Sequence, residues 1–319
     1  PEAKAAAYAL AKSTTQQDYL GEFTANYTKK LGEHSLQGVT GFSLQKNKLD
    51  VLEVQGSGYE DDHIPEVTGH GADPADISLT NNTTKSNWSM VSYFARLNYN
   101  YNDRYFFTAS FRGDGSSLFG PLNRWGYFPS VSGGWSISNE KFFQDGIGNN
   151  TTLKLRASWG LSGNNNIGNY KYAQVMSSPT GTVIGGSVVS SMYPGSFMDP
   201  ALGWESTSQL NIGFDLGLFN HRLDLSVNFY NSITEDLLFN QTISAASGST
   251  SYLTNLPDSK IRNRGLDLQL DTRIISRKDF NLNLSGNISF NKNKVLDLGG
   301  ASTIITNGAE RSYMTHITQ

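Results

Sequence analysis

The chain has 319 residues, 37% hydrophobic and 12% aromatic but only 17% charged, with 32 glycines and many Asn, Ser and Thr, a profile that suits β structure. Its net charge of -3 offers no basic face to nucleic acid, and the absence of cysteine removes disulfides, thiolate metal sites and Cys nucleophiles together. No apolar run approaches the ~20 residues of a spanning helix, which excludes a helical membrane protein.

The first twenty residues, PEAKAAAYALAKSTTQQDYL, lack the basic start, apolar centre and cleavage site of a signal peptide. They predict either a removed signal or a start in mid-protein. From there the dominant signal is period two, which puts alternate side chains on opposite faces of a strand. Predicted strands run over Val91 to Tyr101, Arg104 to Arg112 and Trp125 to Ile137. Leu153, Leu155, Ala157, Trp159 and Leu161 then alternate with Lys154, Arg156 and Ser158. The same pattern places Leu210, Ile212, Phe214, Leu216 and Leu218 against Asn211, Gly213, Asp215 and Gly217. It continues through Leu223 to Ile233, Leu266 to Leu270 and Phe280 to Phe290. About ten strands result, each with one apolar and one polar face, and several reach the ~9 to 11 residues that cross a bilayer when tilted.

Predicted connections alternate between two lengths. Lys29 to His34, Asn102-Asp103, Asn220-His221 and Ser276 to Asp279 read as tight turns. Lys46 to Ser86, Asn164 to Gly203, Asn240 to Asp258 and the residues after Gly299 read as long loops. Short turns on one side and long loops on the other are the asymmetry of an outer-membrane barrel. Trp125, Tyr127, Trp135, Trp159 and Phe229 stand in the apolar rows where a lipid-facing aromatic girdle is expected. A soluble β-sandwich also alternates. The polar faces here carry Asn, Ser, Asp and Gln rather than the Lys and Glu of a solvated sheet, which fits a water-filled lumen.

Local motifs add no chemistry of their own. Arg112-Gly113-Asp114 is a three-residue match to an adhesion signal and common by chance. The glycines of GDGSSLFG follow a strand without opening a helix and lack the Gly-Lys-Ser/Thr ending of a P-loop. Asp61, Asp62 and His63 form an oxygen-rich loop cluster that a structural calcium ion could use, a solvated acidic loop being the plainer reading. Beyond that cluster the sequence predicts no metal or cofactor site, and with no nucleophile, base and orienting group in any frame it predicts no enzyme.

The segment Tyr101 to Phe143 resembles the barrel of SusC/RagA-type TonB-dependent outer-membrane transporters. The matching motifs are the Asp-Arg-Tyr of Asp103 to Tyr105, RGDGSSLFG at Arg112 to Gly120 and RWGYFPS at Arg124 to Ser130. GWSIS at Gly134 to Ser138 and EKFF at Glu140 to Phe143 complete the segment. Leu153 to Tyr172, Leu202 to Leu238, Ile261 to Arg273 and Asn287 to Leu298 follow in the family's order. Only the Ala-rich start and the residues after about Gly299 carry no resemblance.

That resemblance implies an all-β antiparallel transmembrane β-barrel of about 22 strands with an N-terminal plug, residues 1–319 supplying part of the wall. No plug segment, TonB box or aromatic-terminated closing strand is visible, so the chain reads as an internal stretch of a longer transporter. It implies import of glycan fragments or peptides across the outer membrane, driven through the TonB complex and gated by a SusD-like surface lipoprotein. Candidate substrate contacts are the loop aromatics Tyr59, Tyr170, Tyr172, Tyr193, Phe197 and Tyr252, which packing within their own loops would equally explain. Two other readings stay open from the residues alone: a soluble carbohydrate-binding sandwich or propeller, and a passive porin or adhesin barrel. Within the row pattern, Pro129 predicts an irregularity in its ladder, and Gly133 and Gly134 predict relief of crowding where the wall curves.

Overall fold

The computed structural model describes residues 7–59, 78–148, 150–174, 176–177, 182–185, 187–189, 193–194, 197–244, 251–299, 303–307 and 314–318. The strands in chain order are β1 (Ala7–Leu31), β2 (His34–Tyr59), β3 (Ser78–Tyr101), β4 (Tyr105–Ser116), β5 (Trp125–Ser136) and β6 (Thr152–Asn164). Four short strands follow, β7 (Met176–Ser177), β8 (Thr182–Ile184), β9 (Ser187–Val189) and β10 (Tyr193–Pro194). Then come β11 (Glu205–Leu218), β12 (Leu223–Thr242), β13 (Ser251–Ser276), β14 (Asn281–Asp297), β15 (Thr303–Asn307) and β16 (Met314–Thr318). Ten of them form one sheet in the order β1-β2-β3-β4-β5-β6-β11-β12-β13-β14, an up-and-down meander in which each strand pairs with its predecessor. Two nested hairpins, β7 with β10 and β8 with β9, occupy the β6–β11 connection, and β15 pairs with β16.

Two compact units are distinguishable. One comprises the residues up to Gly21 with Ser43–Val91; the other comprises Glu22–Phe42 with Ser92–Gln319. In the first, Asn47 donates to Asp18 at 2.6 Å, and Lys12 pairs with Glu53 at 3.1 Å. The second holds the paired rows described below.

The turns form where expected, three of them through residues in left-handed backbone. Gly32 has φ 58°, Asn102 and Asp103 both 51°, and Asn220 and His221 58° and 59°. Several strand limits differ from expectation. Lys46 to Tyr59, Ser78 to Ser86, Asn240 to Thr242 and Ser251 to Asp258 are strand rather than loop, and the Ala-rich start is the 25-residue β1. Backbone pairing needs no apolar face, so a strand continues after its alternation of polarity has faded. The residues after Gly299, read as loop, contain the β15–β16 hairpin. A seven-residue helix, α1 (Lys141–Ile147), lies where only a Glu-x-Phe turn was expected.

Register fixes the two faces. Ile212, Phe229, Leu266 and Phe290 stand in one cross-strand row, and Leu155, Phe214, Val227, Leu268 and Ile288 in the next. The opposite face carries Ser132, Ser158, Asn211, Tyr230, Gly265 and Asn291 in a corresponding row. From Leu210 to Leu218 the apolar row climbs eight residues, ~27 Å along the strand and ~20 Å vertically at a 35–45° tilt, close to the ~25 Å apolar band of a membrane barrel. A sandwich would cover that face with a second sheet. Here Phe107, Phe111, Trp159, Ile212, Phe229, Ile288 and Phe290 are exposed. Large apolar surface left bare in this way demands an apolar partner outside the chain, and lipid supplies it.

Pro129 is accommodated differently from expectation. The β4–β5 ladder runs unbroken through Phe111↔Pro129. On the other side the β5–β6 ladder stops at Ser130↔Gly160, one residue away, so the missing donor falls where β5 loses a neighbour. Gly133 has open space around it, and the crowded glycines are elsewhere.

Candidate functional site

On the polar face, side chains are linked across strands. Arg156 on β6 stands opposite Gly213 on β11. A Cβ on Gly213 would meet Val227 O and Asn228, and the guanidinium reaches diagonally past that position. Its Nη2 donates to Asp215 Oδ1 at 3.1 Å and to Ser226 Oγ on β12 at 2.9 Å, while Nε lies 3.0 Å from Asp215 Oδ2. Ser226 closes the triangle by donating to Asp215 Oδ1 at 2.7 Å. On the other flank Arg156 faces Gly134, and the Lys154 arm lies beside it, with the ammonium 4.3 Å from the centre of the Phe106 ring. A Cβ on Gly134 would meet the Lys154 arm and Phe106 only at ordinary contact distance.

Farther along the same face, Asp224 and Asp271 are direct cross-strand partners. Like charges so placed repel, and each is offset locally: His221 Nδ1 lies 2.6 Å from Asp224 Oδ1, and Gln269 donates to Asp271 at 2.9 Å. A hollow of about 440 Å³ is lined here by Lys154, Asp215, Asp224, Ser226, Gln269 and Asp271. A neighbouring one of about 270 Å³ lies among Phe106, Lys154, Arg156, Ser158, Asn211 and Asn228. The arrangement is a hydrogen-bonding lining in which Arg156 pairs with Asp215 and three carboxylates face two cations. Sequence reading missed it because the partners of Arg156 depend on the register of a strand some sixty residues away.

The protein core proper lies where the long connections meet. Phe119 and Leu202 are fully buried, and Leu118, Leu256 and Leu298 nearly so. Trp204 packs on Phe119 at 5.2 Å and edge-on to Phe128 at 5.4 Å, and its indole donates to the Arg124 carbonyl at 3.1 Å. Asn255 clasps Gly203 from both sides: its amide oxygen accepts from Gly203 N at 2.6 Å and its amide nitrogen donates to Gly203 O at 3.1 Å, as well as to Asp236 O at 2.9 Å. Gly126 and Gly163 leave room for the Phe128 and Trp204 rings, and a Cβ on Gly163 would stand 2.9 Å from Trp204. Gly163→Ala is therefore expected to cost about 1–2 kcal/mol, while Gly133→Ala, with nothing nearer than 4.0 Å, stays within about 0.5 kcal/mol. Thermal unfolding of the two detergent-extracted variants side by side checks this; equal midpoints would refute it.

The Arg-Gly-Asp triplet belongs to this core. Asp114 is only 6% exposed, and Arg112 Nε donates to its two carboxylate oxygens at 2.8 and 2.9 Å. Arg112 also reaches Ser92 Oγ at 2.9 Å. The carboxylate an adhesion receptor would grasp is enclosed.

At the tight-turn end, Glu140 Oε1 accepts from Tyr105 OH at 2.7 Å and from Trp135 Nε1 at 3.1 Å, with Arg104 3.5 Å from its other oxygen. The Tyr105 hydrogen bond first, and that of Trp135 second, hold the Glu140 carboxyl below the usual carboxylate range. A depressed folded-state value means the stabilisation is complete above the ordinary carboxylate pKa and is lost as pH falls through the lower folded value. Melting temperature followed from pH 7 to pH 3 is expected to fall more steeply at its acid end in the native protein than in Glu140→Gln; superimposable curves would count against the contact.

Of the expected girdle residues, Trp125, Tyr127, Trp159 and Phe229 are exposed on the apolar face, Trp125 stacking on Tyr93 and Tyr127 on Phe111 at 6.1 Å each. Trp135 is half-buried and stacks on Tyr105. Tyr170 and Phe197 are exposed, Tyr172 packs near Gly120, and Tyr252 donates to Gln241 within its own hairpin at 3.1 Å. Tyr59 and Tyr193 lie in β2 and β10, their side chains outside the described residues, as are Asp61, Asp62 and His63.

Comparison with known proteins agrees with this architecture. Residues 3–311 match the family model "TonB dependent receptor-like, beta-barrel". The chain is 33% identical over 286 residues to the TonB-dependent receptor SusC of Bacteroides thetaiotaomicron, covering 86% of this chain and 27% of that protein. It is 31% identical over 314 residues to TonB-dependent receptor P3 of Formosa agariphila, covering 98% and 30%. It thus spans about 30% of the length of the curated relatives it matches. Among solved structures, the RagAB peptide transporter superposes with a TM-score of 0.81 at 27% identity, over 98% of this chain and 33% of that one. The outer membrane transporter YddB from Escherichia coli, at 12% identity and a TM-score of 0.60, shares the fold. With lipid-facing rows, a polar inner face and these matches together, the chain belongs to the TonB-dependent receptor β-barrels of the outer membrane, in their SusC/RagA-type branch.

Proposed function

We propose that the chain forms part of the wall of a transporter importing nutrients across the outer membrane under TonB-driven force, with glycan fragments or peptides as cargo and a SusD-like surface lipoprotein as lid. The observation that carries this reading is the inner face. Ser, Asn, Gln and charged side chains, Arg156 and Asp215 paired among them, run across β5, β6, β11, β12, β13 and β14, a lining along which a large polar solute can exchange water for protein hydrogen bonds. The names of the relatives support the rest: receptors called TonB-dependent, and a RagAB complex called a peptide transporter. In this reading the ten strands cover part of a barrel of about 22, and the plug and remaining strands belong to the rest of the transporter.

Uptake of labelled oligosaccharides and peptides by cells with and without the full-length protein, each with the TonB complex intact or disabled, tests it. Uptake of one cargo class should vanish on loss of either. Uptake that survives loss of TonB would favour a passive porin. Recovery of the protein in the aqueous fraction without detergent would favour a soluble sandwich.

A further inference from the structure

Past the apolar band, on the same lipid-facing side of β13 and β14, four cations stand in two directly opposed pairs. Leu266 pairs with Phe290, the last apolar row; Arg264 then pairs with Lys292, and Arg262 with Lys294, with no break in register. Cross-strand partners on one face hold their Cβ atoms ~4.5–5.5 Å apart, and like charges there are unfavourable. Two such pairs in succession concentrate four positive charges in one small area. Among the described residues, none of the four side chains has an ion pair or hydrogen bond. Glu235, one row farther out on β12, is taken up by Lys260 at 2.7 Å. Asp297 stands opposite Lys260 in that same row, and among the described residues no carboxylate is paired with any of the four cations.

The depth of the patch says what relieves it. Arg264 and Lys292 lie two residues beyond Leu266 and Phe290, and Arg262 and Lys294 four, or ~7 and ~13 Å along the strands. With a strand tilt of 35–45° these become ~5 and ~10 Å of height above the apolar band, which is headgroup depth. The end concerned is opposite the tight turn at 277–280, hence on the outer-leaflet side. Clustered Lys and Arg at that level attract anionic headgroups with a strength that adds up over the cations.

We propose that Arg262, Arg264, Lys292 and Lys294 form a binding site on the lipid-facing surface of the wall for the phosphorylated headgroup of an outer-leaflet saccharolipid, whose acyl chains lie along the Leu266–Phe290 row. The proposal depends on membrane placement and not on the transport reading, so each can fail alone.

The test uses the full-length transporter purified in mild detergent, relipidated with phosphorylated lipid A or with the same lipid after phosphatase treatment, and examined by native mass spectrometry. The expected result is retention of the phosphorylated lipid at least tenfold above its dephosphorylated form, falling as NaCl is raised. The quadruple variant R262Q/R264Q/K292Q/K294Q should lose that preference, while R277Q/K278Q at the tight turn should keep it. Equal retention of the two lipids by the unmodified protein overturns the proposal even if the quadruple variant fails to fold. Unchanged lipid preference in a folded quadruple variant that no longer co-purifies with its lid lipoprotein overturns it too, reassigning the patch to a protein contact.

Discussion

Replacing Phe119 with alanine is expected to lower stability by about 3–5 kcal/mol, the usual cost of removing a buried aromatic ring. Phe119 has no exposed surface and packs against Trp204, beside the buried Leu118 and Leu202. The membrane-embedded rows would not compensate, because their apolar surface is matched by lipid whether or not this cluster is intact. Phe119→Leu, which keeps most of the volume, should cost only about 1 kcal/mol. Detergent-extracted protein can be followed by loss of the compact, fast-migrating form on heating. A matching increase in proteolysis should appear within 117–124 and not at the tight turn 102–104. A Phe119→Ala variant that melts with the native protein would sink the idea that this cluster is a core.

The second large effect is expected at Asp114. Removing its carboxylate strands Arg112 beside Ser92 and Phe94 without the acceptor of its Nε–H, a loss of about 2–3 kcal/mol for a charge-assisted bond at a buried acceptor. Arg112 is half-exposed and can regain water, which keeps the figure below that of a fully buried pair. A double-mutant cycle with Arg112→Met isolates the pair. A coupling energy near zero would mean the two side chains are neighbours without being partners. The same enclosure predicts that the isolated transporter gives no adhesion signal on immobilised integrin, despite its triplet.

The middle of the wall was readable from sequence and its upper end was not, for a physical reason. Between Val91 and Leu161, and again between Leu210 and Phe290, one face must be apolar at the depth of the bilayer, so the chain records the pleat in its polarity. Above that depth both faces are wet. Lys46 to Tyr59 and Ser251 to Asp258 therefore look like loop in the sequence although their backbones stay paired. The Phe119, Leu202 and Leu256 core was equally hidden, since its members are some eighty and fifty residues apart and nothing local marks them as neighbours. The inner lining was half legible. Asp215 and Arg156 were assigned to polar faces, but their contact required the register that sets Arg156 opposite Gly213. The irregularity expected at Pro129 is not there: its ladder with β4 is unbroken, and the ladder with β6 ends one residue away.

The Asn255 clasp has a mechanical meaning. It ties the segment entering β11 to the start of β13 and to the Asp236 bulge of β12, using one side-chain amide in place of a strand pair. A tug on any one of these connections at the cell surface is shared among three strands and loads them in shear, along their length, where many ladder bonds resist together. Without the clasp the same tug would peel a single hairpin one bond at a time. A single asparagine thus lets the rim of the wall act as an anchorage for whatever pulls on it.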